Sequence, residues 1–182
     1  MDLTPGRAPF FCHFIESYVY YMTLKLALLI FAALLSIKVA MEDVRNLEVS
    51  ASATFLLALT ATAIGFLFPA PGMHPHHAIV GCAMGLMTGL AARWFVKCRH
   101  RAAAFGGADV ILIAGAGGLL GPFMFGCWLF SAALTGIAFS RMVPVFSKRI
   151  RVDGKSMIVI PFCPSIISSA AVFFLALNAN AL

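Results

Sequence analysis

The sequence predicts an all-α polytopic membrane protein of six transmembrane helices, on three observations. Of the 182 residues, 62% are hydrophobic and 11% charged, where a soluble domain carries about a quarter charged residues. Mean hydropathy is +0.96. The apolar residues fall into six runs separated by short polar turns, each close to the roughly 20 residues that span a bilayer as a helix. Little chain is left over for a separate soluble domain, and the net charge of +6 fits basic loops beside membrane spans better than a nucleic-acid surface.

Residues 1–21 read as an interfacial N-terminal segment, and residues 22–182 as the six-helix membrane domain. Phe10, Phe11, Phe14, Tyr18, Tyr20 and Tyr21 make an aromatic cluster suited to a headgroup boundary. Glu16 interrupts the apolar character and no small-residue cleavage site follows, so this is not a signal peptide; Met22 is an alternative start. The first span covers Tyr21 to Ala40, with Lys25 and Lys38 near its ends where long stems snorkel. The second, Val49 to Phe68, stops at Pro69-Ala70-Pro71-Gly72. In the third, Ala78 to Val96, Gly81, Gly85 and Gly89 recur every four residues, a face for close helix packing and a place where a substrate helix could dock. The fourth runs from Asp109 to Gly121-Pro122 and the fifth from Phe123 to Phe139. A long basic loop precedes the sixth, Met157 to Leu177, whose first part holds Pro161 and Pro164 and is expected to be kinked.

Cations set the expected topology. Lys38, Arg45, Arg93, Lys97, Arg99, Arg101, Arg141, Lys148, Arg149, Arg151 and Lys155 lie on the connections after spans one, three and five, or on the adjoining helix ends; Arg7 and Lys25 fall on the other side. The rule that cytoplasmic loops are basic then puts both termini outside and the basic loops in the cytoplasm. Anionic lipid headgroups are the expected partners of those loops.

Seven acids exist in the chain, and carboxylates beside membrane spans are functional candidates because hydrocarbon penalises them. Asp43 closes the first apolar run and Asp109 opens the fourth, on the same expected face. Two carboxyls sharing a proton hydrolyse a peptide when one takes a proton from water and the other polarises the carbonyl. The helix dipole favours charge on Asp109, at a helix start, and disfavours it on Asp43, near a helix end. Asp109 is therefore the expected base and Asp43 the expected proton donor. Against this, Asp at a helix start is a common cap. Gly106 and Gly107, with Ala108, stand beside Asp109, where a substrate strand could approach the backbone; the pair also suits a simple turn. Glu42, Glu48 and Asp153 read as solvated loop charges. The five cysteines read as small packing residues. His74, His76 and His77 lie together but lack a carboxylate or cysteine nearby, so no metal site is expected.

An Asp ending the first core span, Gly106-Gly107-Ala108-Asp109 before Val110-Ile111-Leu112, and a late Pro161-Phe162-Cys163-Pro164 together resemble the type IV prepilin peptidases, membrane aspartyl proteases of the GxGD group. Ala108 stands at the last glycine of that motif, Cys163 at a glycine of P-F-G-P, and Val49-Ser50-Ala51 where the family has I-P-N. The resemblance spans about residues 22–177. It implies an inner-membrane endopeptidase, without cofactor, that removes the leader of prepilin-like substrates after a glycine at the cytoplasmic face, with Asp43 and Asp109 as the catalytic pair. Without a cysteine-rich insert, the chain is similar to the short peptidase-only forms of tight-adherence (Flp) pili, whose partners are pilus or secretion assembly proteins. A small proton-coupled carrier using the same two acids, and an inactive relative serving as an assembly subunit, are the alternatives.

Overall fold

The computed structural model describes residues 8–46, 49–100, 106–142, 148–152, 155–159 and 163–179, with side chains over 16–45, 49–98, 106–138 and 164–176. Five helices, α1 (Ala8–Asn46), α2 (Ala51–Leu67), α3 (His76–His100), α4 (Gly107–Met142) and α5 (Cys163–Ala179), are joined by one β element, the strands β1 (Lys148–Val152) and β2 (Lys155–Val159). Three stretches, Glu16–Arg45, His76–Cys98 and Gly107–Ala138, are long and apolar enough to cross a membrane; α2 and α5 are shorter apolar helices.

Helix α1 passes residue 21 without a break and carries on through the charged stretch Met41-Glu42-Asp43 to Asn46. Lys38 and Glu42 sit one turn apart with Nζ and Oε1 at 3.9 Å, the spacing at which opposite charges support a helix. Glu42 Oε2 also accepts the N–H of Ser50 at 3.1 Å, the residue that caps α2. Glu42 is therefore a half-buried brace of the α1–α2 elbow, not the solvated loop charge its sequence context suggests. Glu48 and Asp153 lie outside the described residues. Glu42→Ala should lower stability by about 1 kcal/mol, read as an earlier midpoint in a detergent-denaturation titration.

At the far end of this helical hairpin the rings of Tyr21 and Phe68 are 4.7 Å apart, so α1 and α2 run antiparallel. Helix α2 stops before Pro69, which cannot continue it. The turn that follows is closed by Met73 N–H on the Ala70 carbonyl at 2.9 Å, with Gly72 at φ 79°.

Helix α4 is broken at Gly121 (φ 70°, ψ 171°) ahead of Pro122. A glycine there reaches positive φ without steric penalty, and the proline ring cannot accept the preceding turn. The Phe125 ring lies 3.3 Å from where a Gly117 side chain would begin, although eight helical residues span about 12 Å; the chain therefore turns back at Gly121. The fourth and fifth apolar runs are thus two arms of one broken helix.

Glycines hold the centre together. Gly81, Gly85 and Gly89 of α3 lie against Gly117, Ile113 and Val110 of α4, in antiparallel order, while Ala58, Thr62 and Gly65 of α2 meet Gly115, Gly118 and Leu119 in parallel order. The α3 glycine face is therefore filled by the α4 backbone, which removes it as a docking place for a substrate helix. Side chains from α1, α2, α4 and α5 complete the core around Ile64, Leu120, Trp128 and Ile166.

Two expectations about surface residues change. Cys98 and Cys127 are exposed and Cys82 half-buried, because an apolar solvent gives a small hydrophobe no reason to hide. The basic connection between α4 and α5 contains an antiparallel hairpin in register Lys148↔Val159 to Val152↔Lys155. Pro161 and Phe162 lie outside the described residues, while Pro164 sits in the first turn of α5, where proline is tolerated.

Candidate functional site: two carboxylates at one end of the bundle

Asp43 lies in the last turns of α1 and is 7% exposed. Asp109 lies in the first turn of α4 and is half-buried. Because α2 starts just after α1 ends and runs parallel to α4, both acids stand at the same end of the bundle. Among the described residues, α1 and α4 have no pair of Cα atoms within 8 Å.

Asp109 Oδ2 accepts the Gly106 N–H at 3.0 Å. This is the return half of a capping box, a side chain three residues into the helix satisfying the backbone donor at its start. Gly107 opens the helix, and the Arg93 guanidinium of α3 lies 3.3 Å from where a Gly107 side chain would begin. The second glycine thus leaves room for that cation. Ala108 is helical, a conformation alanine prefers to glycine, so it costs the motif no backbone freedom. Ala108→Gly is expected to lower stability by up to about 1 kcal/mol without raising activity, checked by unfolding and turnover on the same preparation.

One helical turn inside the acid end, an apolar groove of about 500 Å3 runs between α1, α2, α4 and α5. Its floor is buried, including Leu57, Ala58, Leu112 and Ala116, and its mouth is exposed, with Ile37 of α1 and Leu175 of α5. Among the described residues, Ser36 is the one polar residue in its lining. Asp43 follows Ser36 by seven positions and Asp109 precedes Leu112 by three, spacings that keep each pair on one helix face. Both acids therefore stand on the helix rows that lead into the groove.

The groove was not visible in the sequence, since its walls are small and aliphatic residues on four separate helices. At the opposite end, the rings of His74, His76 and His77 lie 4.4 to 5.7 Å apart, and His77 Nδ1 accepts the His74 N–H at 3.1 Å. That nitrogen closes the start of α3. Among the described residues no three His, Cys, Asp or Glu are placed to hold a metal ion.

Fold and site define a helical, membrane-associated protein with two acids at one end of an apolar bundle. No family model, curated protein or solved structure matches the chain, so no particular family is assigned.

Proposed function

We propose that the chain is a membrane-embedded aspartyl endopeptidase that removes the leader of prepilin-like substrates after glycine, with Asp43 and Asp109 as the catalytic pair. The observation that carries this is their shared end of the bundle, on the two helix rows that lead into one apolar groove. In this reading six spans cross the inner membrane, both termini lie outside, and the acids face the cytoplasm beside the basic connections.

The chemistry needs little else. One carboxylate draws a proton from water while the protonated partner hydrogen-bonds the scissile carbonyl; the water oxygen attacks, and the proton taken up is passed to the leaving nitrogen. Gly106, Gly107 and Ala108 line the approach to Asp109. Oxygens sharing a proton stand within about 3 Å of one another, so the working pair requires Asp43 and Asp109 at that distance in the substrate-bound state.

A second reading, an assembly subunit without catalysis, draws support from Asp109, whose carboxylate already caps α4 through Gly106. A synthetic peptide with a basic leader ending in glycine, followed by an apolar helix, decides between them when added to the protein in liposomes. A single cut after the glycine is expected. An intact peptide beside folded protein rejects the peptidase.

A further inference from the structure

We propose that the reciprocal pair His74–His77 is an acid-released latch, holding the first turn of α3 on the break in α4 while the His77 imidazole is neutral and letting go once it is protonated. The latch does not depend on the peptidase reading. His77 Nδ1 accepts the His74 N–H at 3.1 Å, and the His77 N–H returns a bond to the His74 carbonyl at 2.9 Å. A backbone N–H only donates, so Nδ1 must present a lone pair, and the ring proton of the neutral form sits on Nε2. Asp109 serves Gly106 with the same three-residue spacing at the other end of the bundle, but here an imidazole stands where that cap uses a carboxylate. A free carboxylate stays an acceptor down to about pH 4, whereas a free imidazole takes up its second proton at about pH 6.5.

That proton turns Nδ1 into a donor facing another donor, and the cap is lost. It also puts a positive charge at a helix start, where the macrodipole disfavours it. The titratable groups that act on His77 are His76 and His74, with rings centred 4.4 and 5.7 Å away. Helix α4 presents Phe123 and Gly121 to it, and the preceding turn brings Met73, none of which titrates. Once a neighbouring histidine is protonated as well, like charges meet at those distances. The exposed Phe123 ring, 5.7 Å from His77, offers an imidazolium only a weak contact in return.

What the latch holds is the break itself. Met73 Sδ lies 3.2 Å and His77 Cβ 3.6 Å from where a Gly121 side chain would begin, so residues beside the cap cover the point at which α4 leaves helical geometry. Release frees α3 back to Gly81, whose backbone contact with Gly117 stops the fraying.

The test is hydrogen–deuterium exchange of the full chain in nanodiscs with a metal chelator present, at about pH 7.5 and about pH 5.5, either side of the ordinary imidazole range. Rates are corrected for the intrinsic pH dependence of exchange. Protection over residues 73–80 should fall about tenfold on acidification, the worth of a good cap, with a smaller loss over residues 119–126. His77→Gln puts an amide oxygen that does not titrate at the acceptor position of a capping box, and should keep high protection at both pH values. His77→Ala should show low protection at both. Nitrogen NMR shifts of labelled imidazoles in the wild type should report the Nε2–H tautomer for His77 at neutral pH, and the Nδ1–H tautomer would overturn the latch without any variant. Unchanged wild-type protection, or the same acid loss in His77→Gln, overturns it too. Loss confined to residues 73–80 overturns its hold on α4.

Discussion

If the proposed peptidase reading holds, Asp43→Asn and Asp109→Asn are each expected to lower cleavage of the leader peptide by on the order of 10^3-fold or more, and the double variant should be no worse than either alone. The non-additivity matters most, because two carboxylates sharing one proton act as a unit and removing either leaves no pair. Asparagine keeps the shape of aspartate, and its amide can neither take a proton from water nor give one to a leaving group. The two variants should differ in stability. Asp109 accepts the Gly106 N–H at 3.0 Å; its asparagine keeps an acceptor oxygen and loses only the charge at the helix start, worth about 0.5 kcal/mol. Turnover is therefore measured beside an unfolding titration on each variant. A pH–rate profile with two limbs is expected of the wild type, since a shared pair would work only with one proton bound. If Asp43→Asn kept full activity while Asp109→Asn lost it, the shared dyad would be wrong, and Asp109 would have to act with another acid.

Much of the backbone was legible because proline and glycine act locally. Pro69 ends α2, Pro75 precedes α3, and Gly121-Pro122 breaks α4, each at the position where its own ring or missing side chain forbids the regular turn. What went unread depends on partners distant in the chain. The stretch after Met41 looks like a charged loop until Glu42 is seen bracing Ser50 and facing Lys38. The hairpin carried a local signal, Asp153-Gly154 between two alternating runs, hidden by the weight of its cations. The two acids were legible as a candidate pair from position and type, but the packing of α1 against the bundle was not, because it depends on segments distant in the chain: 6% of its most apolar window is buried against 61% for α4.

The largest stability effect is expected at Gly117. A side chain there would begin 2.9 Å from the Gly81 carbonyl carbon and 3.3 Å from the Phe125 ring. The ring can shift, but the α3 backbone cannot, since Gly81, Gly85 and Gly89 pin it to α4 over two turns. Gly117→Val should therefore destabilise the bundle by about 3 kcal/mol, the upper end of overpacking costs, and Gly81→Val by a similar amount from the other side of the contact. Gly126 supplies the control: nothing lies within 4 Å of its missing side chain, and Gly126→Ala should be neutral or stabilising by up to about 1 kcal/mol through helix propensity. Denaturant titrations of the three variants by circular dichroism make the comparison. An unchanged midpoint for Gly117→Val would mean that α3 and α4 are not in backbone contact. The consequence reaches the site, because Arg93 stands over Gly107 at the end of that same interface. Forcing α3 away from α4 at Gly117 shifts the cation over Gly107, two residues before Asp109, so cleavage should fall in Gly117→Val even where the protein remains folded, and stay unchanged in Gly126→Ala.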